Sequence, residues 1–178
     1  CVQVDFGVES GSKRVLRTMK KGTTWNSVVA AFDLAHHVGL RTGASFILGS
    51  PGEDEEDLKE TLALAERIAS DWTVFFFSTP YPGTELWAQL KEARKLDGLP
   101  AYGVEWNNRQ NEAPFRLGSV SPQRLSDCRK HAQNRHFRRN YLSPRNLAFA
   151  IRLASRALQD PTLLTDAVRL VVEGGRLD

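Results

Sequence analysis

Cysteine, methionine and long apolar runs are scarce in this chain, and each scarcity argues against a class of protein. Only Cys1 and Cys128 occur among its 178 residues. They are far apart and fit no metal-ligand spacing, so a reduced cytoplasmic setting is expected rather than a disulfide framework. Neither cysteine reads as catalytic. No stretch approaches the roughly 18 to 20 consecutive apolar residues that a spanning helix needs, which leaves no transmembrane segment to expect. The N-terminus lacks the basic, apolar and small-residue sections of a signal peptide, so secretion has no support. Met19 is the single methionine, and the chain opens directly on the strand-like CVQVDFGVES. The sequence therefore reads as a piece of a longer protein.

What is present is enough for one core. Hydrophobic residues make up 41% of the chain, sufficient for a single domain with room for a small appended subdomain. Charge is uneven: residues 1–118 hold 13 Lys and Arg against 16 Asp and Glu, while 119–178 hold 11 against 5. The basic excess belongs to the C-terminal part alone.

Strand-like VQVDFGV (2–8), TGASFILG (42–49) and WTVFFFS (72–78) alternate with helical stretches, the pattern of parallel β/α units. TTWNSVVAAFDLAHHVG and EDEEDLKETLALAERIAS each carry one apolar stripe at helical spacing. Thr24 is placed as an N-cap and Gly39 as a C-terminal stop, and the acids from Glu53 to Asp57 favour a helix start through the macrodipole. TPYPGTELWAQLKEARK turns into a helix capped by Thr84. Residues 97–120 show no period and are expected to form an irregular connection, long enough to lie over a site. From Ser121, with Pro122 in the first helical position, the chain reads as helical; Ser143-Pro144 and Asp160-Pro161 open further helices. The division expected is 1–98 for the α/β body, 99–120 for the connection and 121–178 for a helical extension. A parallel sheet must be covered on both faces and paired along its edges, so three such units look like half of a barrel.

Along the first strand Val2, Val4, Phe6 and Val8 point one way, and Gln3, Asp5, Gly7 and Glu9 the other. In an α/β barrel the polar side would face the lumen, with Glu9 at the C-terminal strand end where barrel enzymes place their sites. The alternative is that Glu9 only caps the following turn, SGSKRVL. The second strand has a small face of Gly43, Ser45, Ile47 and Gly49, which fits either close approach of a ligand or tight packing against a neighbour. FILGSPGEDEED resembles a phosphate cradle in outline, but Pro51 removes an N–H, no lysine follows at once, and five acids would repel an anion. Most of those acids suit a solvated first helical turn; Glu53, nearest the strand end, is the one placed to face a site. His36 with His37 and His131 with His136 lack zinc-binding company. The basic stretch RKHAQNRHFRRNYLSPR suits either a solvated helix face or an RNA surface.

Taken in order, GVESGSKRVLRTMKKGTT, GASFILGSPGEDEEDLKETL and FFFSTPYPGTELW resemble the C-terminal half of the radical S-adenosylmethionine (radical SAM) barrel. The likeness is greatest to enzymes with an upstream cobalamin-binding domain. It runs to about residue 96, and RHFRRNYLSPRNL is similar to the basic-aromatic helices that often follow this barrel. The resemblance implies a partial (β/α)6 TIM-like barrel followed by an α-helical tail. It also implies a [4Fe-4S] cluster on a Cys-xxx-Cys-xx-Cys loop, absent from this chain, with S-adenosylmethionine as the fourth ligand. Reductive cleavage of that cofactor would give a deoxyadenosyl radical that abstracts hydrogen, with methylation or rearrangement the outcome where cobalamin takes part.

By the same resemblance Glu9, with Ser10 beside it, lies near the cofactor's ribose and methionyl part. Lys21, or secondarily Lys20, takes the place of a basic residue for the cofactor carboxylate. Ser45 stands where some relatives have an aspartate for the ribose hydroxyls, and the small side of Gly43, Ser45 and Gly49 would leave room for the cofactor. The implied partners are a small-molecule substrate, the N-terminal half of the same polypeptide and an electron donor such as flavodoxin or ferredoxin. Without the cysteine loop, this chain alone should be inactive. Two other readings stand beside this one: a tRNA methylthiotransferase-like enzyme, and a non-catalytic α/β module that binds RNA through its basic helices.

Overall fold

The computed structural model describes residues 1–94, 96, 116–140 and, further on, 143, 144, 146–148, 151, 152 and 155. The expected irregular connection falls mostly, and the helix from Asp160 wholly, outside the described residues. β1 (Gln3–Glu9), β2 (Arg41–Leu48) and β3 (Trp72–Phe77) form one parallel sheet in the order β1-β2-β3. These lie within a residue of the expected strands, because alternation of side chains across a pleat is a direct sequence signal.

Among the described residues the helices with defined bounds are α1 (Lys13–Thr18), α2 (Trp25–His37), α3 (Glu55–Ile68), α4 (Glu85–Glu92) and α5 (Pro122–Asn140), and 144, 146–148, 151, 152 and 155 are helical as well. Their starts are set by short polar side chains that take up orphan N–H groups. Thr24 accepts from the Ser27 amide at 3.2 Å, and Ser27 returns the bond in a capping box. Asp54 and Asp57 repeat that arrangement at α3, while Thr84 and Ser121 accept from the Trp87 and Arg124 amides. The short α1 lies in a stretch that sequence reads as a turn. Ser12 caps it, and burial of Val15 and Leu16 holds it in place.

One face of the sheet is packed. Val8, Ala44, Phe46, Leu48 and Phe75 meet Phe32 of α2, Leu58, Leu64 and Ile68 of α3, and Leu125 of α5. Aromatic rings contribute much of this contact: Phe46 stacks on Phe75 at 5.3 Å, and Phe6 tilts against Phe32 at 4.7 Å. The opposite face carries Asp5 and Gly7, Ser45 and Ile47, and Trp72, Val74 and Phe76. There Phe76 is 51% exposed and Trp72 40%. Parallel sheets are ordinarily covered on both sides; among the described residues this face is left partly open.

The outer edge of β3 is closed by side chains. Arg129 Nε and Gln133 Nε2 of α5 donate to the Phe75 and Thr73 carbonyls, each at 2.7 Å. Asn140 Nδ2 donates to the Ser70 carbonyl at 2.7 Å and Asn146 Nδ2 to the Asp71 carbonyl at 3.2 Å. Groups that would otherwise template another strand are thereby occupied.

Candidate functional site

The site is built at the C-terminal end of β1. The ladder with β2 shifts register between Gly7 and Glu9, and Glu9 leaves the strand in the left-handed region, with φ of 70°. A non-glycine residue there costs roughly 1 kcal/mol or more and needs its surroundings to hold it. The next three residues do so. Ser10 Oγ meets Thr61 Oγ1 at 2.9 Å, the Gly11 amide donates to the same Thr61 hydroxyl at 3.0 Å, and Ser12 Oγ donates to Asp57 Oδ1 at 2.5 Å. A Cβ on Gly11 would run into the Glu60 backbone. The Ser-Gly-Ser turn is thus docked on α3.

Arg14 completes the dock by pairing with Asp57 and with Asp54. Burial works against ionisation of Asp57, but hydrogen bonds from Ser12, the Asp54 amide and Arg14 hold its carboxyl below the usual range.

With its backbone held, the Glu9 side chain folds over Gly7, where an added Cβ would lie 2.6 Å from Glu9 Oε1. Lys21, which follows α1, donates from Nζ to the same oxygen at 3.1 Å. Its neighbour Lys20 instead pairs with Glu85 of α4 at 2.5 Å. Both pairs border a cavity of about 820 Å³ whose walls include Ile47, Pro51, Phe77 and Arg129. That volume falls within the usual range for small-molecule sites.

The residues expected at the site therefore separate. Glu9 and Lys21 come together on the cavity. Ser45 sits half-buried on the same open face, in register with Gly7 and Val74. Ser10 is fully buried and turned to α3. The space expected beside Gly43 and Gly49 is filled by protein. Trp72 Nε1 crosses Gly43 to donate to Asp5 Oδ1 at 3.1 Å, and a Cβ at Gly43 would collide with both side chains. At Gly49 a Cβ would come within 2.9 Å of Leu125 Cδ1. Packing accounts for Gly43, while Gly49, just past β2, also turns the chain with φ of 79°.

Glu53 departs from its expected place as well. It is fully buried, and its Oε2 accepts from the Gly49 and Ser50 amides while Oε1 has no partner among the described residues. The Glu53 carbonyl accepts from the Ser119 amide at 3.0 Å, which lays the segment before α5 over the turn. Burial pushes the Glu53 carboxyl up to about 7, against the two amide bonds and with Asp57 and Asp54 adding to the rise. It closes the strand-to-helix turn and does not line the cavity.

Basic residues of α5 face acids of α3. Arg124 pairs with Glu55 at 3.1 Å and Arg135 with Glu66 at 2.5 Å. His136 shares a hydrogen bond with Asn140, and burial, reinforced by Arg139, lowers its imidazole to about 4. Arg129 was not singled out from sequence, because it is one of many cations in a basic run. Its signal was the four-residue spacing to Gln133 on a helix that follows an edge strand. No group of His, Cys, Asp or Glu suited to a metal occurs among the described residues. Cys1 is exposed and Cys128 buried.

Residues 1–65, which contain Glu9, Ser10, Lys21 and Ser45, match the model of the Radical SAM superfamily. Over these residues the chain is similar to the radical SAM superfamily. Similar curated proteins include the uncharacterized methyltransferase PH0819 of Pyrococcus horikoshii, 40% identical over 87 residues, covering 49% of this chain and 19% of that protein. The tRNA-2-methylthio-N(6)-dimethylallyladenosine synthase of Methylococcus capsulatus is 38% identical over 79 residues, covering 43% and 17%. The synthase of the same name from Deinococcus radiodurans is 29% identical over 119 residues, covering 62% and 24%. The chain thus matches less than a quarter of the length of each of these relatives. Within the matched residues 1–65 lies the Glu9–Lys21 pair at the end of β1.

Proposed function

We propose that the chain is the C-terminal part of a partial (β/α)6 radical SAM barrel, residues 1–98, joined through 99–120 to a helical extension, 121–178. The observation that carries this is the Glu9–Lys21 pair bordering a cavity at the strand ends. S-adenosylmethionine has an ammonium and a carboxylate on its amino-acid part, and this pair offers one charge of each sign. The Gly7 cradle that a Cβ would fill fits the same group, because it keeps the Glu9 carboxylate low over the sheet.

When bound and reductively cleaved, S-adenosylmethionine supplies the radical that takes hydrogen from a substrate. This chain's residues bind and orient it: Lys21 takes the carboxylate, Glu9 the ammonium and ribose side, and Ser45 a ribose hydroxyl. Ile47, Pro51 and Phe77 provide apolar wall that excludes water. The two cysteines do not fit a [4Fe-4S] cluster, one being exposed at residue 1 and the other in the core. The cluster ligands are assigned to the rest of the polypeptide, and no residue here is assigned to cobalamin, whose use belongs to the same proposal. The enzyme would act in the cytoplasm on a small molecule, with an electron donor such as flavodoxin or ferredoxin. No described helix is long and apolar enough to cross a membrane.

The test is to purify the full-length protein without air, reconstitute it with iron and sulfide, and follow 5′-deoxyadenosine after reduction in the presence of S-adenosylmethionine. Its formation is expected. A full-length sequence without a three-cysteine loop, or a reconstituted cluster that releases none, would sink the proposal. The methylthiotransferase relatives favour a second reading in which the substrate is tRNA. A thiomethylated base in tRNA incubated with the loaded protein would select it. For the RNA-binding module, the α5–α3 ion pairs are unfavourable, since they occupy two of its cations.

A further inference from the structure

Five charged residues among those described line the cavity, and four of them cancel. Glu9 pairs with Lys21 and Glu85 with Lys20. The fifth, Arg129, meets neutral groups among the described residues: its Nε donates to the Phe75 carbonyl at 2.7 Å, and its guanidinium carbon lies 5.3 Å from the centre of the Phe77 ring. These two contacts orient a planar cation at the wall while leaving its terminal nitrogens without an acid among the described residues. Partial burial disfavours that charge, and no carboxylate among the described residues offsets the cost. A partly buried arginine with its Nε pinned and no acid on its terminal nitrogens among the described residues is suited to two-pronged recognition of a carboxylate or phosphate. Met19, Ile47, Val74 and Leu86 give the cavity apolar wall, beside polar lining from Ser78, Thr79 and Gln89.

We propose that Arg129 is a substrate-binding residue, contributed by helix α5, that fixes an anionic group of the substrate in the cavity beside Glu9 and Lys21. The substrate class is then a small organic acid or a phosphorylated small molecule with an apolar body. The helical extension supplies part of the site rather than only covering the sheet edge. This rests on assigning the cavity to radical SAM chemistry, with Lys21 reserved for the cofactor carboxylate.

The probes are succinate and inorganic phosphate, titrated calorimetrically into the full-length protein with succinamide as the neutral control and ionic strength matched. Saturable binding of at least one anion is expected, weakened at least tenfold in Arg129→Gln and several-fold in Arg129→Lys, which keeps the charge but loses the fork. Succinate binding shows an organic acid site, and phosphate binding without succinate a phosphoryl site. Binding should persist with S-adenosylmethionine present, and the affinity for S-adenosylmethionine should stay within twofold in both variants. Equal anion binding in wild type and variants, or none in wild type, overturns the proposal. Competition between the anion and S-adenosylmethionine also overturns it, because Arg129 would then serve the cofactor. If Arg129→Gln does not fold, Arg129→Lys decides alone: unchanged affinity rejects the assignment. These titrations need no cluster, so loss of 5′-deoxyadenosine formation and loss of anion binding are separate failures.

Discussion

Lys21 Nζ and Glu9 Oε1 lie 3.1 Å apart across a separation of twelve residues, the carboxylate held at the end of β1 and the amine brought back by α1. Each side chain is roughly a quarter to a third exposed, at 21% for Glu9 and 34% for Lys21. The pair is therefore partly screened, and its contribution to stability is small, about 1 kcal/mol or less. Its value lies in holding two opposite charges at one cavity wall.

A first prediction follows for ligand affinity. Lys21→Gln and Glu9→Gln should each weaken S-adenosylmethionine binding to the full-length protein by roughly tenfold, about 1.4 kcal/mol. The double variant should lose less than the sum, because each single change also leaves its partner unpaired. Equilibrium dialysis checks this; affinities unchanged in both single variants would remove the pair from the cofactor site.

Gly7→Ala tests the same geometry without touching a charge. The added methyl would sit 2.6 Å from Glu9 Oε1, so the carboxylate must lift off the strand and loosen its bond to Lys21. The expected result is a several-fold loss of S-adenosylmethionine affinity with the unfolding midpoint little changed, measured by binding and thermal melts on the same sample.

Gly43→Ala should do the opposite. Here the methyl would strike Asp5 and the Trp72 indole, at the end of the strands remote from the cavity. Destabilisation of about 1 to 3 kcal/mol is expected from overpacking, with ligand affinity kept. Adding Trp72→Leu should recover part of that loss in urea unfolding, since it removes the indole that crosses the glycine.

The contrast between these two glycines shows what was legible in the sequence. Strand positions and helix caps could be read because each depends on local spacing: alternation along β1 to β3, and Thr24, Thr84 and Ser121 ahead of their helices. Glu9 and Lys21 could be proposed from their motif, and their meeting is a matter of one short segment. Gly43 could not be resolved, because its neighbours Asp5 and Trp72 come from two other strands. Glu53 was misplaced for a similar reason, since Ser119, whose segment covers its turn, is 66 residues away. The six residues of α1 are too few to show a helical period. Arg129 was hidden in a basic run until the edge of β3 showed what it faces.

Glu53 gives a prediction in pH. Its folded value of about 7 lies above the ordinary 4.5, so between those values the native state binds more protons than the unfolded chain. Stability must then fall as pH rises from about 4.5 to 7 and level off above. Glu53→Gln keeps an acceptor for the Gly49 and Ser50 amides and removes the titration. The difference in unfolding free energy, variant minus wild type, should increase by on the order of 1 to 3 kcal/mol between pH 5 and 8. Comparing with the variant cancels other groups such as Asp57, whose lowered value makes stability fall in acid instead. A difference that stays flat across this range would mean that the Glu53 carboxyl is not held protonated by burial.

The closed edge of β3 leads to the last prediction. Gln133 and Asn140 donate to the Thr73 and Ser70 carbonyls, and Asn140 is nearly inaccessible. Alanine at Asn140 leaves a buried carbonyl without a donor, at a cost of about 1 to 3 kcal/mol; alanine at the more accessible Gln133 should cost less. With both changed, the Thr73 carbonyl of β3 and the Ser70 carbonyl just before it lose their donors while Arg129 still holds Phe75, and a partly exposed parallel edge is a template for association. The double variant should therefore show concentration-dependent oligomers by light scattering, at concentrations where each single variant stays as wild type. If it is destabilised yet remains as dispersed as wild type, α5 holds the edge by packing rather than by these side-chain bonds. The apolar contacts of Leu125 and Cys128 would then be the part of the helix that keeps it in place.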